Sequence, residues 1–588
     1  ALYLNEAFLP LILSIKLVKR TIPGETIKLN IVFVVTLALL VLTSSLILLV
    51  YWRPPEAPEK QKRMVIEPIS TERAPEPPST DLMPQKLPWM LEKGTAGTDS
   101  FYAGGVPRKP EIALKVNISA SISGKLAEAL VEGDKVFLAD SQGVYALNKD
   151  DGNFVWGVEV YSDDLAHRAM QGPNTTIKWK ALGLWRFVKT YGIGKYLYVA
   201  TSSYLDLGDA YLLAIDKDNG ELIWKVRLES EEGASSKSSV TSNLLVIDGK
   251  VFVGSVGPEG YVFAVSEGGE LLWREKIGGN VRGLTYGEGM LFATSEYRKK
   301  LYAFNPVSGR PLWIYEHDAE LMTPSYGGGR VVTVDSLGRI LAISTNGELL
   351  WKKHLGIGGD VDTNSYIALS SNYIYSVRSL GERPRNLYVL DFDGGIVGNF
   401  TLGVDEDGGR PASSRDLVVL PVLKKGGESK VYLLWRGFHK LSEYHFSECG
   451  SSGWMPKVSI AYGEILVVAC PSTLYRLTDV VKPTIDNIEI SYNETLIIKV
   501  KAYDEQSALH KVLLVYSTNN SPWNYKEMDI ARRYLMEPIG GYGLREELYI
   551  TEVSIEVGRV EFYVIAIDNV GNYQVTNVYG YRAFYLET

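Results

Sequence analysis

The chain has 588 residues, of which 46% are hydrophobic, and its formal net charge is −8. This length exceeds one ordinary core, so we expect several domains or one large repeat domain. The hydrophobic content excludes a disordered chain, and the acidic balance gives no basic surface for a nucleic-acid partner. With six Gln and two Cys among many Lys, Glu, Ile and Val residues, the composition favours a thermophilic, archaeal-type source.

A membrane-spanning helix is predicted near the start of the sequence. Residues 31–50, IVFVVTLALLVLTSSLILLV, carry no charge, and this run is long enough to cross about 30 Å of hydrocarbon. Tyr51 and Trp52 follow at the position of an interfacial aromatic pair. The apolar core is longer than that of a cleaved signal peptide. We therefore assign residues 29–52 to a single anchor that stays in place.

Residues 1–28 are predicted to be cytoplasmic or interfacial. Residues 7–20 have an apolar side and a basic end, which fits either a helix on the membrane face or a short disordered tail. Equal numbers of cations flank the span, so positive charge does not fix its orientation. These cations are Lys16, Lys19, Arg20 and Lys28 before it, and Arg53, Lys60, Lys62 and Arg63 after it.

Residues 53–110 are predicted to form a Pro-rich, extended linker. Eleven of the 26 prolines lie between Pro54 and Pro110. Such a composition favours a semi-rigid spacer over a packed core. The linker would hold the following domain away from the bilayer.

One phrase recurs between residues 111 and 478: an apolar run, a polar turn with Gly, and a second run with Trp. A clear example is YLLAIDKDNGELIWK at 211–225, and weaker copies begin at Leu387, Val431 and Leu474. The other clear copies occupy 143–157, 261–275, 301–315 and 340–354. The Trp residues of the clear copies are Trp156, Trp224, Trp273, Trp313 and Trp351. A hairpin repeated about every forty residues is typical of propeller blades.

The repeat therefore predicts a mainly β protein with a seven- or eight-bladed β-propeller over residues 111–478. Each blade would cover the sheet faces that its neighbour cannot bury alone, and the Trp residues would fill the gaps between blades. The blade number stays open because the strand EIALKVNI, at 111–118, is able to complete the last blade.

The pattern of apolar strand, turn Gly and Trp resembles the repeat of pyrroloquinoline-quinone-type β-propellers. The enzymes with this repeat are eight-bladed quinoprotein dehydrogenases. The non-enzymatic members include the scaffold lipoprotein of the bacterial outer-membrane assembly machine. Because the motif describes blade packing, the resemblance implies the fold and leaves the function open.

The sequence lacks the cysteine arrangement of the quinoprotein alcohol dehydrogenases that the repeat resembles. Those enzymes carry two adjacent cysteines over the cofactor, whereas Cys449 and Cys470 are far apart in this sequence. A disulfide between them, in an oxidising compartment, is the simpler interpretation. The alternative is a metal site that also uses His439 and His445. We predict no catalytic residue, no metal and no cofactor.

Residues 479–588 lack the Trp repeat and resemble an immunoglobulin-like or fibronectin-III-like β-sandwich. The resemblance rests on YDEQSALHKVLLVY at 503–516 and YVIAIDNVGN at 563–572. Domains of this type are common on cell surfaces. Candidate N-glycosylation sites also follow the span, and they are Asn117, Asn174, Asn399, Asn493 and Asn519. We therefore predict a cytoplasmic N-terminus, with the propeller and sandwich outside the cell.

An insertion at 161–195 interrupts the repeats and carries Trp179, Trp185 and Arg186. Aromatic residues and Arg are enriched at contact surfaces, so this insertion is either a binding surface or a capping element packed on the next blade.

We predict a membrane-anchored, extracytoplasmic propeller that acts as a protein-binding or scaffold subunit of a cell-envelope or membrane assembly. Its partners would be the membrane, other proteins and possible N-glycans. Two alternatives are a quinone- or sugar-linked extracytoplasmic dehydrogenase, and an envelope polymer or surface-layer-associated structural protein.

Overall fold

The computed structural model describes most of the chain beyond residue 62. The described residues are 40, 62–84, 86–91, 94, 100–118, 126–161, 178–182, 184, 186–202, 210–229, 239–256, 259–355, 366–378, 386–415, 417–446, 454–470, 472–493, 495–535, 545–554 and 557–587. None of the helices within them is long and apolar enough to cross a membrane. The predicted span at 29–52 lies outside these residues except for Leu40, which is helical.

The chain divides into two compact units, Ala1–Val65 with Phe584–Thr588, and Ile66–Ala583. In the first unit, the described residues are Leu40 and the outer ends of two strands, Lys62–Ile69 and Tyr579–Glu587. The second unit contains the repeats and the C-terminal sheets.

Within the described residues of the second unit, eight sheets follow one another, each built around four antiparallel strands, and we call them blades 1 to 8. Preceding them are the strands β1 (Lys62–Ile69), β2 (Phe101–Tyr102) and β3 (Glu111–Asn117), with a short 3₁₀ helix at Thr80–Leu82. The first strands of consecutive blades contact each other, as β13 contacts β9 and β25 contacts β21. The first strand of each blade is therefore innermost and the fourth is outermost, which is the architecture of a propeller.

Strands β4 to β20 form blades 1 to 4, and blade 1 has a fifth strand. Blade 1 comprises β4 (Leu130–Glu132), β5 (Lys135–Ala139), β6 (Gly143–Asn148), β7 (Phe154–Glu159) and β8 (Lys178–Ala181). Blade 2 comprises β9 (Phe187–Ile193), β10 (Leu197–Ser202), β11 (Ala210–Ile215) and β12 (Leu222–Leu228). Blade 3 comprises β13 (Leu245–Ile247), β14 (Lys250–Gly254), β15 (Tyr261–Ser266) and β16 (Leu271–Lys276). Blade 4 comprises β17 (Val281–Gly287), β18 (Met290–Ser295), β19 (Lys300–Phe304) and β20 (Pro311–Glu316).

Strands β21 to β36 form blades 5 to 8. Blade 5 comprises β21 (Ser325–Gly327), β22 (Arg330–Val334), β23 (Arg339–Ser344) and β24 (Leu349–His354). Blade 6 comprises β25 (Tyr366–Leu369), β26 (Ile374–Arg378), β27 (Asn386–Leu390) and β28 (Ile396–Thr401). Blade 7 comprises β29 (Glu406–Gly408), β30 (Ala412–Ser414), β31 (Leu417–Lys424), β32 (Ser429–Trp435) and β33 (His439–Phe446). Blade 8 contains β34 (Lys457–Ala461), β35 (Glu464–Ala469) and β36 (Thr473–Thr478).

The fourth strand of blade 8 comes from the start of the repeat region. Strand β3 pairs antiparallel with β36, from Glu111 opposite Thr478 to Asn117 opposite Thr473. Blades 8 and 1 also share one hydrophobic core, to which Ile460 and Leu130 belong. The ring therefore has eight blades, and the strand predicted to complete the last blade does so.

The turn Gly and the Trp of the repeated phrase meet across the joints between blades. Trp156 donates its indole N–H to the carbonyl oxygen of Lys217 in blade 2 (2.9 Å). Gly220 lies against that indole with φ +73°, and a Cβ there would be 2.9 Å from the ring. Only Gly combines this left-handed backbone with such a close approach. The same two contacts recur for Trp224 with Gly269, Trp273 with Gly309, Trp313 with Gly347, and Trp351 with Gly394.

The joint between blades 6 and 7 uses the reverse arrangement. Gly398 occupies the Trp position of blade 6, opposite Val389. Phe438 of blade 7 places its ring there, 2.9 Å from where a Cβ on Gly398 would lie. The aromatic ring therefore comes from the other side of the joint.

Two further antiparallel sheets follow the propeller. One has the order β37-β38-β42-β41, and the other has the order β1-β45-β43-β39-β40 with β44 beside β43. Their strands are β37 (Thr484–Asn493), β38 (Thr495–Tyr503), β39 (Leu509–Thr518), β40 (Asn524–Glu527), β41 (Asp529–Leu535), β42 (Arg545–Val553), β43 (Gly558–Asp568), β44 (Tyr573–Val575) and β45 (Tyr579–Glu587).

From residue 66 onward, the described residues of the predicted linker at 53–110 belong to the second unit, and several of them are buried in it. Trp89 is 2% exposed and donates its indole N–H to Glu128 (2.7 Å). Strand β2 pairs in parallel with β30 of blade 7. The guanidinium of Arg73 stacks 3.9 Å above the ring of Trp523. The prolines limit helix and sheet formation, but the apolar and aromatic residues between them still find buried positions.

Candidate functional site

Five consecutive blades expose one large apolar residue at the same place on the outermost strand. These side chains are 40% to 51% exposed. Each one directly precedes the Trp of its blade, or Gly398 in blade 6. We call them the rim residues, and they are Ile223, Leu272, Leu312, Leu350 and Val397.

Each rim residue is the extra residue of a β-bulge. In blade 2, Ala214 pairs with Trp224 and Ile215 pairs with Leu222, so Ile223 has no partner in the register. The same shift occurs in blades 3 to 6. A bulge bends its strand and redirects a side chain. The repeated bulge therefore places an apolar side chain at the same point of each of these blades, where the preceding residues Leu222, Leu349 and Ile396 are also exposed.

The outermost strand of blade 1 is covered by a strand of this same chain. Strand β8 pairs in parallel with β7, beginning with Trp156 opposite Lys178. The bulge residue of this blade, Val155, is half-buried. For blades 2 to 6, no further strand pairs with the outermost strand in the part of the chain that the structure describes. The edge of a blade is thus able to accept an added strand.

The predicted contact surface in the insertion at 161–195 is described only in part. Trp179 belongs to β8, opposite Gly157. Arg186 is half-buried and precedes β9, whereas Trp185 lies outside the described residues. Strand β8 pairs with blade 1, and both the binding surface and the cap on the next blade stay predictions.

The structure describes one of the two cysteines. Cys470 is buried and disulfide-bonded, whereas Cys449 lies outside the described residues. Their pairing stays a prediction. The other members of the alternative metal site are both in β33, where His445 lies 2.6 Å from Glu428 and burial lowers the pKa of His439.

Three of the five predicted glycosylation residues have described side chains, and all three are exposed. They are Asn117, Asn399 and Asn519. Asn493 ends β37, and its side chain is not described, whereas Asn174 lies outside the described residues. Glycan attachment stays a prediction.

His317, Asp318 and Asp335 form one group with the geometry of a possible metal site. The cation in this group is already Arg339, which forms ion pairs with Asp318 and Asp335. The hydrogen bond from Arg339 is the main reason that the pKa of Asp318 falls to about 2. The group is therefore an ion-pair network on blades 4 and 5.

Asp479, Asp504 and Asp568 form a second group, which we call the aspartate cluster. One carboxylate oxygen from each lies within 4.8 Å of the others, and the residues are 5%, 2% and 0% exposed. Burial, followed by the charge of Asp479, raises the pKa of both Asp504 and Asp568 to about 7. Burial also raises the pKa of Asp479. Each carboxylate therefore lies where its negative charge is costly.

A cavity of about 810 Å³ separates blade 7 from strands of the C-terminal sheets. The Arg108 guanidinium lies in its lining, 4.4 Å above the ring of Trp435. The lining contains more cationic than acidic side chains, so its formal net charge is positive. Its other charged residues are Arg415, Arg436, Lys511, Glu527 and Glu547.

A PQQ-type family model, described as "Outer membrane protein assembly factor BamB", matches residues 115–257 and 258–434. These matches together cover more than half of the chain. The chain belongs to this BamB family.

Three proteins to which the chain is similar share little sequence identity with it. The outer membrane protein assembly factor BamB of Salmonella typhimurium is 23% identical over 312 residues, which cover 45% of this chain and 79% of that protein. A quinohemoprotein alcohol dehydrogenase, ADHIIG from Pseudomonas putida HK5, is 14% identical with a TM-score of 0.47, covering 69% of this chain and 84% of its own. BamB from Moraxella catarrhalis is 12% identical with a TM-score of 0.42, covering 63% and 98%.

The BamB-family match includes one of the two candidate sites and not the other. The match begins in β3 and ends at residue 434, within blade 7, so it contains all five rim residues. The aspartate cluster lies beyond it. A repeated apolar residue before Trp is visible in the sequence as ELIW, ELLW and RPLW, and this signal could have identified the rim.

Proposed function

We propose that the chain is a protein-binding scaffold subunit of a membrane or cell-envelope assembly, and that a partner protein docks on the rim residues. The observation that carries this proposal is the apolar bulge residue at one position on five consecutive blades. Native proteins usually cover or charge exposed strand edges. An apolar series on such edges therefore favours an interaction surface. The description of the BamB family as an assembly factor supports the same class of function.

Blade 1 suggests how the partner docks. Strand β8 extends that blade by pairing along β7. An extended segment of a partner would pair in the same way with the outermost strands of blades 2 to 6, and its apolar side chains would cover the rim residues. Main-chain hydrogen bonds would supply affinity in this mode, and the rim side chains would supply specificity.

The proposal places the propeller outside the cell on a single membrane anchor. The charge-free segment within residues 29–52 supports the anchor, and the five sequons that follow it support external exposure. We also propose that the two C-terminal sheets form the immunoglobulin-like sandwich. Both sheets bury apolar side chains, for example Ile498 in one and Val564 in the other. A heat-adapted, archaeal-type envelope is the setting that the composition favours.

The test replaces three neighbouring rim residues with Lys: Leu312→Lys, Leu350→Lys and Val397→Lys in one variant. Charges on the edge would oppose partner docking while leaving the Trp joints intact. The full chain and the variant are purified from native membranes in mild detergent, and co-purifying proteins are identified and quantified. We expect a stoichiometric partner with the unchanged chain and at least a roughly tenfold loss with the variant, equivalent to about 1.4 kcal/mol.

The matched control places three Lys residues at exposed apolar positions of the same region, outside the rim. These changes are Val307→Lys, Leu337→Lys and Val404→Lys, at residues that are 69%, 55% and 66% exposed. The control should retain the partner. Equal loss from both variants would contradict the rim as the docking site. A chain purified without partners but with a bound chromophore would favour the dehydrogenase alternative instead.

A further inference from the structure

The aspartate cluster joins the end of the propeller to the C-terminal sheets. Asp479 directly follows β36, which is the last propeller strand along the sequence. Asp504 directly follows β38, and Asp568 ends β43. Three separate parts of the chain thus bring carboxylates to one buried point.

One carboxylate oxygen of Asp504 and one of Asp568 accept hydrogen bonds from backbone N–H groups. The Asp504 Oδ1 atom accepts N–H bonds from Gln506 (2.8 Å) and Ser507 (2.6 Å). The Asp568 Oδ1 atom accepts N–H bonds from the three residues Val570, Gly571 and Asn572. These bonds fix the orientation of both carboxylates.

The second oxygen of each of these carboxylates is buried without a hydrogen-bond partner in the part of the chain that the structure describes. These atoms are Asp504 Oδ2 and Asp568 Oδ2. The Asp479 carboxylate accepts bonds from the Ser507 hydroxyl and the Val481 N–H. No Lys, Arg or His among the described residues forms an ion pair with any of the three aspartates. Unpartnered, buried oxygens are costly.

We propose that the aspartate cluster binds one Ca²⁺ ion. Carboxylate oxygens are the ligands of hard cations, and Ca²⁺ accepts six to eight oxygens in flexible geometry. The cluster offers no sulfur or imidazole ligand, so its donor set does not suit zinc or copper. Mg²⁺ is rarely held by cages made of protein side chains alone, which makes Ca²⁺ the preferred ion.

The bound ion would fasten the exit of blade 8 to the C-terminal sheets. It would offset most of the negative charge of the carboxylates and give the two unpartnered oxygens a ligand bond. Because the ligands come from β38, β43 and the residue after β36, ion binding requires all three elements to be in place. Ca²⁺ would therefore stabilise this junction, and its removal would loosen the C-terminal sheets before the blades.

The test uses the full chain in mild detergent after treatment with a chelator. Metal content and thermal unfolding are measured with about 1 mM CaCl₂, a concentration suited to extracellular calcium modules, and with MgCl₂ at the same concentration. We expect one Ca²⁺ per chain, a higher unfolding temperature with Ca²⁺, and a smaller shift with Mg²⁺. In the Asp504→Asn and Asp568→Asn variants, Ca²⁺ affinity should fall about tenfold or more, because affinity depends on ligand charge.

Folding of the variants is checked without calcium. An amide relieves the repulsion between carboxylates, so each chelated variant should unfold at or above the temperature of the chelated wild type. Asp318→Asn is the control, because that carboxylate is already paired with Arg339, and it should leave calcium binding unchanged. The proposal is overturned if the wild type binds no calcium at this concentration, or if Asp504→Asn and Asp568→Asn both retain wild-type affinity.

Discussion

The propeller and the C-terminal sheets are held in place by different kinds of contact. The blades repeat one contact, in which the Trp of one blade lies against the turn Gly of the next. The C-terminal sheets are held by contacts that occur once, such as Arg73 on Trp523 and the aspartate cluster. Repetition spreads the stability of the ring over many joints, whereas single contacts concentrate it in a few side chains.

The largest effect is expected from removing the aromatic ring of a joint. Trp156 is fully buried and contacts blade 2 through Lys217 and Gly220. Trp156→Ala should lower the free energy of unfolding by about 3–5 kcal/mol, because it leaves a large cavity between blades. Trp156→Phe should cost less, because it keeps an aromatic ring and loses mainly the indole hydrogen bond. Urea unfolding measures both, and an equal cost for the two variants would contradict a packing role.

A smaller loss of stability is expected when the turn Gly of such a joint is replaced with Ala. Gly309 and Gly289 have nearly equal φ angles, +73° and +76°. A Cβ on Gly309 would lie 2.7 Å from the Trp273 ring, whereas a Cβ on Gly289 would meet nothing within 4 Å. Both Ala variants carry the left-handed backbone cost of about 1–2 kcal/mol. Gly309→Ala should cost about 1–3 kcal/mol more, owing to overpacking.

The Gly289→Ala variant is the control for the backbone cost, because its added Cβ would contact no neighbouring atom. Any difference in urea midpoint between the two variants reports the Gly–Trp contact, since the backbone strain is shared. Equal destabilisation would mean that the ring tolerates a shifted Trp273, and that the glycines are required for their backbone conformation alone.

The propeller could be predicted from the sequence because its contacts are repeated. Five copies of one phrase each contain a turn Gly and a Trp, and each of these Trp residues meets the turn Gly of the following copy. The closure by β3 was visible only as an alternative, since a single strand has no repeat to identify its partner. The joint at Gly398 was not visible, because the aromatic ring moves to Phe438 on the other blade.

The single contacts could not be predicted in the same way. Asp479, Asp504 and Asp568 are distant in sequence, and aspartates of this kind are common in turns. The segment at 53–110 was interpreted from its prolines, although Trp89 and Arg73 within it make specific contacts. A contact that depends on one pair of distant residues leaves no periodic signal in one sequence.

The smallest loss in the free energy of unfolding is expected from replacing Arg73. This residue makes one of the contacts that occur only once. Its guanidinium forms an ion pair with the Glu561 carboxylate (3.4 Å). Glu561 is 1% exposed and forms a second ion pair with Arg559. Burial alone would raise the pKa of Glu561, but hydrogen bonds from Thr71 and Arg559, with the charges of Arg559 and Arg73, lower it overall. Arg73→Ala should cost about 1 kcal/mol, because the partner that remains limits the loss.

The pH dependence separates the charge of Arg73 from its stacking on Trp523. Because folding lowers the pKa of Glu561, its ionised form stabilises the fold above the ordinary value of about 4.5. That contribution is lost as the pH falls through the lower folded-state pKa. The difference between wild type and Arg73→Ala in urea should therefore shrink between neutral pH and the acid range. Arg73→Lys, which keeps the charge without the planar stack, should lose less than Arg73→Ala at neutral pH. A difference that is the same at all pH values would mean that the guanidinium acts by packing on Trp523 alone.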